Sequence, residues 1–530
     1  MNNLQIFFNG TIITMEEKDA PPPQALLVEN GRIREWGDVK SLMNKASEAK
    51  LVDLEGGTLL PAFLDAHSHF FQLALSLLQV SLKDAKSPED VIASIRTFIQ
   101  KKNLPHGQWV IAGDFDQNKM PGRQNLTLNQ LDLAAPDHPL IIKHQSGHMG
   151  FFNSAALTLL GVTPDTPAPE GGTIAIQDGQ LTGYMEENAF FEYQRQVPMP
   201  GKEDIIEAFA EAQEVYASYG ITTIQEGMLV EEMLPFYDLL LSHHLLKLDL
   251  VAYAGFSSYA EIKTALAPHM GRYQDRLKIG GIKIFLDGSP QGRTAWMRKP
   301  YEGTSFCGYP TMTDESVKEA FTLAAKEKTQ LLAHVNGDGA AAQYLRCLDA
   351  VQEQYPILST LRPVIIHGQL MGKDQLKEAA RLHALISFFV AHIYHWGDTH
   401  IQNFGMERAS HISPAASALK EGISITFHQD SPVIPPDMME TLWCAVCRRS
   451  RDGVVLGPEE AISPWEALKA VTIQAAYQYG EKQKKGSLAP GKLADLVILN
   501  QNPLTCPKDS LREIKVIKTF KEGNCIWQSD

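Results

Sequence analysis

From Ile221 onward, short apolar runs of strand character alternate with segments whose apolar residues recur at helical spacing. The runs are Ile221–Glu226, Leu248–Gly255, Ile279–Asp287, Gln330–Asn336, Pro363–Gln369, Ala384–His392 and Ile423–Asp430; with Leu59–His69 upstream they make eight. Helical patterns such as Asp314–Lys328 and Asp374–Leu382 lie between them. The runs are almost continuously apolar, as strands covered on both faces must be. Eight strand–helix units predict an α/β fold, a (β/α)8 TIM-type barrel.

Two stretches stand outside this rhythm. Residues 1–58 and 485–530 carry short strands with turn signals, including Asn9-Gly10 within Gln5–Met15, a second turn within Ala25–Trp36, and the pair Asp495–Asn500 and Ile514–Trp527. Neither end is long enough for a good core, so the two are expected to form one composite β-sandwich domain, with the barrel (59–484) inserted between its halves. Between His69 and Ile221 lie roughly 150 residues, far more than a strand-to-helix connection needs. With strand candidates at Trp109–Gly113, Leu140–His144 and Thr173–Tyr184, residues 71–219 are read as an inserted subdomain at the barrel mouth.

The net charge of −14 argues against nucleic acid as a partner. No apolar run is long enough for a membrane span, and the N-terminal stretch lacks the basic and small-residue features of a signal peptide. Six scattered cysteines suit a reduced, cytoplasmic location. Cys444 and Cys447 form a CxxC, but without a second pair in a helical context they are read as helix packing.

Barrel enzymes place reactive residues at the C-terminal ends of their strands. Here those ends carry His67 and His69, Lys283, His334, His367 and Asp430. His67 and His69, two apart on a strand, share a face and aim at one point. Any one of these residues has a structural explanation: a satisfied core histidine, a salt-bridged lysine, a helix N-cap. Six in matching positions point to a divalent metal centre of nitrogen and oxygen ligands, with zinc the default and iron, manganese or nickel also compatible.

The motifs LPAFLDAHSHF (60–70), GHMGFFNSAAL (147–157), GGIKIFLDGSPQGRTA (280–295), HVNGDGA (334–340), SFFVAHIYHWGD (387–398), FHQDSPVIPPDMM (427–439) and KGSLAPGKLADLVIL (485–499) resemble the metal-dependent amidohydrolase superfamily, and its family 3 branch in particular. The resemblance implies that His67, His69 and Asp430 hold one metal, that His334 and His367 hold a second, and that Lys283 stands where a bridging, carbamylated lysine often occurs. It implies hydrolysis of an amide or cyclic amide C–N bond in a small-molecule substrate, with metal-activated hydroxide as nucleophile and Asp430 as general base. One or two metals per chain, and a homo-oligomer, are both compatible with it. A heterocycle deaminase on the same centre is the alternative activity; a binding or regulatory protein on this fold is disfavoured because all six ligand positions are filled.

Other residues are candidates for contact with substrate: His392, Trp396 and His428 near the barrel mouth, Arg293 after the fourth strand for a carboxylate, and His148 in the insertion. Asp65 and Asp338 are candidates for holding the imidazoles. The chain departs from the expected pattern at Gln225-Glu226-Gly227, where an aspartate is usual, and after His334.

Overall fold

The run Leu59–His69 does not form one strand. In the computed structural model, which describes residues 4–18, 21–144, 148–198 and 200–529, it is split at Ala62. Thr58–Pro61 joins a sheet of the chain termini, and only Phe63–Leu64 (β1) joins the parallel sheet. The other strands of that sheet are Ile221–Leu229 (β2), Asp249–Gly255 (β3), Leu277–Phe285 (β4), Gln330–Val335 (β5), Val364–His367 (β6), Leu385–Phe388 (β7) and Ile425–Phe427 (β8). Each pairs in parallel with its successor in sequence. Connecting helices include Asp314–Glu327, capped by Thr313, and Lys373–Arg381.

The sheet is curled. One core cluster gathers Leu64 of β1, Val251 and Tyr253 of β3, Leu332 of β5, Val364 and Ile366 of β6 and Leu385 of β7, closed by Ala475, Ala476 and Tyr479. Strands that are not neighbours meet in one core only if the sheet bends round on itself. Beyond the two edge strands the chain is also joined directly: the Asp430 N–H donates to the His67 carbonyl (3.3 Å), and the His69 N–H donates to the Ser431 carbonyl (2.8 Å).

The chain termini build two further sheets. Leu4–Phe8, Ala25–Glu29, Arg32–Gly37 and Lys50–Asp53 form one; Thr11–Ile12, Thr58–Pro61, Leu496–Leu499, Val516–Lys521 and Asn524–Gln528 form the other. Phe7, Leu26 and Val28 of the first share a core with Leu59, Leu496, Ile498 and Phe520 of the second. The Asn9-Gly10 turn signal does not close a hairpin, because Leu4–Phe8 and Thr11–Ile12 belong to different sheets. Asn9, in the left-handed region (φ +62°) and bonded to Asp53, turns the chain from one sheet into the other. Ala25–Glu29 and Arg32–Gly37 do form a hairpin across Asn30-Gly31.

Residues Gln72–Glu211 are a separate compact unit. Its sheet has six strands, in the order Gly172–Gln177, Gln180–Glu187, Met149–Phe152, Leu140–His144, Val110–Phe115 and Val80–Ser81. Gly147 of the 147–157 motif and Met1–Asn3 of the N-terminal stretch lie outside the described residues. All six cysteines are free, and Cys444 is buried in the helix Met438–Cys447. Among the described residues no helix is long and apolar enough to cross a membrane.

At the N-terminal ends of the parallel strands sits a buried charge network. Asp249, the first residue of β3, meets Lys485 (2.5 Å), Lys521 (2.6 Å) and Arg276 (3.0 Å); Lys521 also meets Asp495 (2.7 Å), and Lys278 of β4 meets Glu481. Burial alone would raise the Asp249 pKa, but Lys485 and Lys521 outweigh it and hold the carboxyl well below its ordinary value. A depressed carboxyl stabilises the fold above its unfolded-state pKa, and that contribution is lost as pH falls toward the folded one. Asp249→Asn removes the carboxylate shared by two buried lysines, leaving Lys485 with Glu481 and Lys521 with Asp495 alone, and is expected to cost about 3 kcal/mol. Denaturant unfolding of variant and wild type at pH 7 measures the loss, and the gap is expected to narrow on acidification below pH about 4.

Candidate metal centre

At the opposite ends of the same strands the chain leaves the ladders, and there the titratable residues collect. His67 and His69 lie past the end of β1, not on it, because pairing stops at Leu64. They still face one atom: each Nε2 is 3.4 Å from Asp430 Oδ1. Lys283 of β4 brings its Nζ to 3.2 Å from His67 Nε2. His367, the last residue of β6, has its Nε2 4.0 Å from Asp430 Oδ2 and 3.0 Å from Nδ1 of His334, which comes from β5. The structure thus brings all six expected ligand residues together. The tightest set of donors is His67, His367 and Asp430, whose ligand atoms lie within 4.8 Å of one another. Two of these residues hold the left-handed backbone region, His367 at φ +75° and Asp430 at φ +55°. Such backbone conformations are sparsely populated and gather at functional sites.

The electrostatics match a cation's requirements. Burial, reinforced by Lys283, lowers the His67 pKa well below the usual imidazole value, and burial likewise drives down His367, with His334 adding to it. Burial, with Lys283 adding to it, brings His334 to about 4. These rings are neutral at pH 7, the form that binds metal. Burial lowers Lys283 to about 7, opposed only by Asp430. Burial would raise Asp430, but the ion-pair contact with His69 (3.4 Å) and the imidazoles around it hold it well below the carboxylate range, so it is ionised. His69 is the exception: burial disfavours its cation, yet Asp430 and Glu226 raise it to about 9. Asp430 Oδ1 and His69 Nδ1 are buried without a hydrogen-bond partner among the described residues. Buried polar atoms of this kind are costly unless something satisfies them. A nitrogen and oxygen donor set around an orphaned carboxylate oxygen fits a divalent metal ion.

The residues that position this cluster were not found from the sequence. Gln225 on β2 presents its Oε1 to His67 Nδ1 (2.6 Å), while its own Nε2 donates to the Ala66 carbonyl (2.7 Å) and to Tyr479 (2.9 Å). The Ala66 carbonyl accepts only, so the amide orientation is set and His67 carries its proton on Nδ1. The His67 Nε2 lone pair then faces the centre. Glu226 lies 3.5 Å from His69 Nδ1 and accepts from the Phe71 N–H. Gly227 gives His67 its space, since a Cβ there would lie 2.4 Å from His67 Cε1. Gln225-Glu226-Gly227, the departure noted in the sequence, is therefore the wall against which His67 and His69 rest. Asp287 is buried, raised by burial to about 7, and accepts from the N–H groups of Trp296, Asn336 and Gly337.

The remaining candidates are placed differently. Asp65 accepts from the His67 backbone N–H, not its ring, and Asp338 accepts from the Arg298 N–H; neither holds an imidazole. His428, expected to touch substrate, is fully buried, with one ring nitrogen on His367 and the other on Ser387. His392 and Trp396 form an aromatic group with Phe389, which packs against His367 and His428. Arg293 is exposed and donates to Asn403. His148 belongs to the separate unit, where it meets Glu187 at 3.2 Å.

The model of the amidohydrolase family matches residues 50–527. The chain belongs to that family. This amidohydrolase, in the family 3 branch, is therefore a hydrolase of carbon–nitrogen bonds. It is 27% identical to the N-substituted formamide deformylase of Arthrobacter pascens, over 99% of this chain and 98% of that one. It is 28% identical to the protein LONG AFTER FAR-RED 3 of Arabidopsis thaliana, over 93% and 86%. An uncharacterised metal-dependent hydrolase from Pyrococcus horikoshii has the same fold, with a TM-score of 0.75 at 26% identity over 96% of this chain and 99% of that one.

Gly227→Ala is expected to push the His67 ring out of place without unfolding the protein. Chelator competition should show divalent-metal affinity reduced by roughly 10–100-fold, the range for loss of ligand orientation, while thermal unfolding of the metal-free protein changes by only a few degrees.

Proposed function

We propose that this amidohydrolase cleaves a non-peptide C–N bond, in a linear or cyclic amide, at the cluster of His67, His69, Lys283, His334, His367 and Asp430. The observation that carries the reading is the convergence of His67, His367 and Asp430 donor atoms within 4.8 Å of one another, beside a carboxylate oxygen with no hydrogen-bond partner among the described residues. His67, His367 and Asp430 would hold a divalent ion, zinc by the chemistry of the donor set, joined by His69 once it gives up its proton; His367, expected from the resemblance at a second ion, thus falls with the first, leaving His334 and Lys283 placed to take part in a second. Bound there, such an ion supplies Lewis acidity, lowering the pKa of a bound water from 15.7 to about 7 and polarising the scissile carbonyl.

The protein's own residues do the rest. Gln225 holds His67 in one tautomer, and Glu226 and Asp430 hold His69 between them. Asp430, ionised and open toward the centre, accepts a proton from the attacking water and delivers it to the leaving nitrogen. An amine leaves poorly as an anion, so that second transfer is required for C–N cleavage. Lys283 is buried, with a pKa near 7, so a good share of its amine is neutral at pH 7. The neutral amine would add carbon dioxide, forming an N–C bond and releasing one proton, and the resulting anionic carbamate would supply oxygen donors to the centre. Ring closure by the chain past β1 and β8 supports a closed (β/α)8 barrel, and the shared core of the two terminal sheets supports a composite sandwich over 1–58 and 485–530. Six free cysteines fit a cytoplasmic enzyme for a small-molecule substrate.

The test is a panel of N-substituted formamides, acyl amides, cyclic amides and heterocycles incubated with the metal-loaded enzyme. Carboxylate and amine release supports the reading; turnover confined to heterocycles with ammonia release overturns it. On a substrate so identified, Asp430→Asn is expected to lower kcat by roughly 10²–10⁴ while the protein stays folded and binds at least one metal ion. Wild-type turnover by that variant would remove Asp430 as the base.

Metal analysis with bicarbonate supplied tests the lysine. Two ions per chain, falling to one in Lys283→Ala, is the expected outcome. One ion per chain, unchanged by the substitution, rules out the carbamate.

A further inference from the structure

His428 has no assigned part in the chemistry above, yet it is buried beside it. Its Nε2 is 3.1 Å from His367 Nδ1, and its Nδ1 is 2.8 Å from the Ser387 hydroxyl. His428 and Ser387 are both fully buried, and His367 is 3% exposed. The His428 ring packs 5.1 Å from His367 and 5.3 Å from His67, centroid to centroid. Three side chains from three adjacent strand ends, β6, β7 and β8, thus form one hydrogen-bonded row ending at the centre.

A neutral imidazole has one N–H and one lone pair. When two are joined nitrogen to nitrogen, one must donate, so the row has only two arrangements. In the first, the Ser387 hydroxyl donates to His428 Nδ1, His428 Nε2–H donates to His367 Nδ1, and the His367 proton sits on Nε2. That nitrogen is the one facing Asp430 and His334, and with a proton on it His367 cannot be a ligand. In the second, His367 donates from Nδ1 to His428 Nε2, and His428 donates from Nδ1 to Ser387 Oγ. His367 Nε2 then carries a lone pair, which accepts from His334 Nδ1 (3.0 Å) until a cation takes that place and which points toward the same centre as the lone pair of His67 Nε2.

We propose that His428, backed by Ser387, is a positioning residue that makes His367 a metal ligand by accepting its Nδ1 proton. The carboxylate or carbonyl that usually receives the outer N–H of a ligating histidine is replaced here by a second imidazole. Unlike a carbonyl, an imidazole can also donate, so metal binding selects between two states of the row. Ser387 decides how readily the second is reached, since its hydroxyl must turn to accept. The inference rests on reading the cluster as a divalent-metal centre.

The experiment uses the full-length protein, stripped with chelator and titrated with Zn²⁺ and Co²⁺ against a chromophoric competitor. His428→Phe keeps a planar ring but has no acceptor; His428→Gln keeps an acceptor. The phenylalanine variant is expected to bind the metal roughly 10–100-fold more weakly than wild type, the glutamine variant to recover much of that loss, and Ser387→Ala to show a smaller loss than His428→Phe. Co²⁺ absorption should shift in His428→Phe and return toward wild type in His428→Gln, which a purely packing role does not predict. If His428→Phe fails to fold, the comparison of His428→Gln with His428→Leu and Ser387→Ala decides in the same way. Wild-type metal binding with equal affinity in every His428 variant overturns the positioning role and leaves the metal centre standing. Absence of divalent binding by the wild type overturns both.

Discussion

The site depends on one electrostatic constraint: an ionised carboxylate, Asp430, half-buried at the end of a curled sheet with one oxygen fully buried. A lone buried charge is prohibitively costly unless it is paired or takes up a cation. Among the described residues the cation facing it is favoured at His69, while Lys283 and the other imidazoles are pushed toward neutrality by their own burial. One carboxylate oxygen is left without a hydrogen bond. The arrangement has an excess of lone pairs over protons, which is the condition under which a divalent cation binds tightly.

The two ends of the parallel strands handle buried charge in opposite ways. At the N-terminal ends, Asp249 and Asp495 are matched by Lys485, Lys521 and Arg276 at hydrogen-bond distance, and the network links β3 to segments near the C-terminus. Charges there cancel, and the result is a structural clamp. At the C-terminal ends the acid is surrounded by bases that are mostly uncharged, and the backbone is held in unfavourable regions at His367 and Asp430. Matched charge is concentrated at one end of the sheet, and the candidate metal centre lies at the other, with an apolar interior between them.

Several features of the site come from contacts distant in sequence. Gln225 reaches His67 across 158 positions and Tyr479 across 254. As an amide on a strand it carries no chemical signature, and the segment Gln225-Glu226-Gly227 reads only as the absence of an expected aspartate. His428 carried a signal, an extra imidazole two residues before Asp430, but its role depends on Ser387 and His367, which belong to different strands. The Asn9-Gly10 turn misled for the same reason: a turn signal states that the chain reverses, not whether the next strand pairs with the last or crosses to another sheet.

What the amino-acid sequence determined by itself was periodic or local. Apolar runs separated by helical spacing specify alternating strands and helices, and the placement of His67, His69, Lys283, His334, His367 and Asp430 at the ends of those runs follows from counting. These properties belong to single segments, where side-chain direction is set by the backbone repeat. Tertiary structure alone decided where β1 begins, which sheet receives Thr58–Pro61, which tautomer His67 adopts, and which donors lie close enough to share an ion. Those depend on distances between atoms that the chain brings together only once the sheet has curled, and no local pattern encodes a distance between strands.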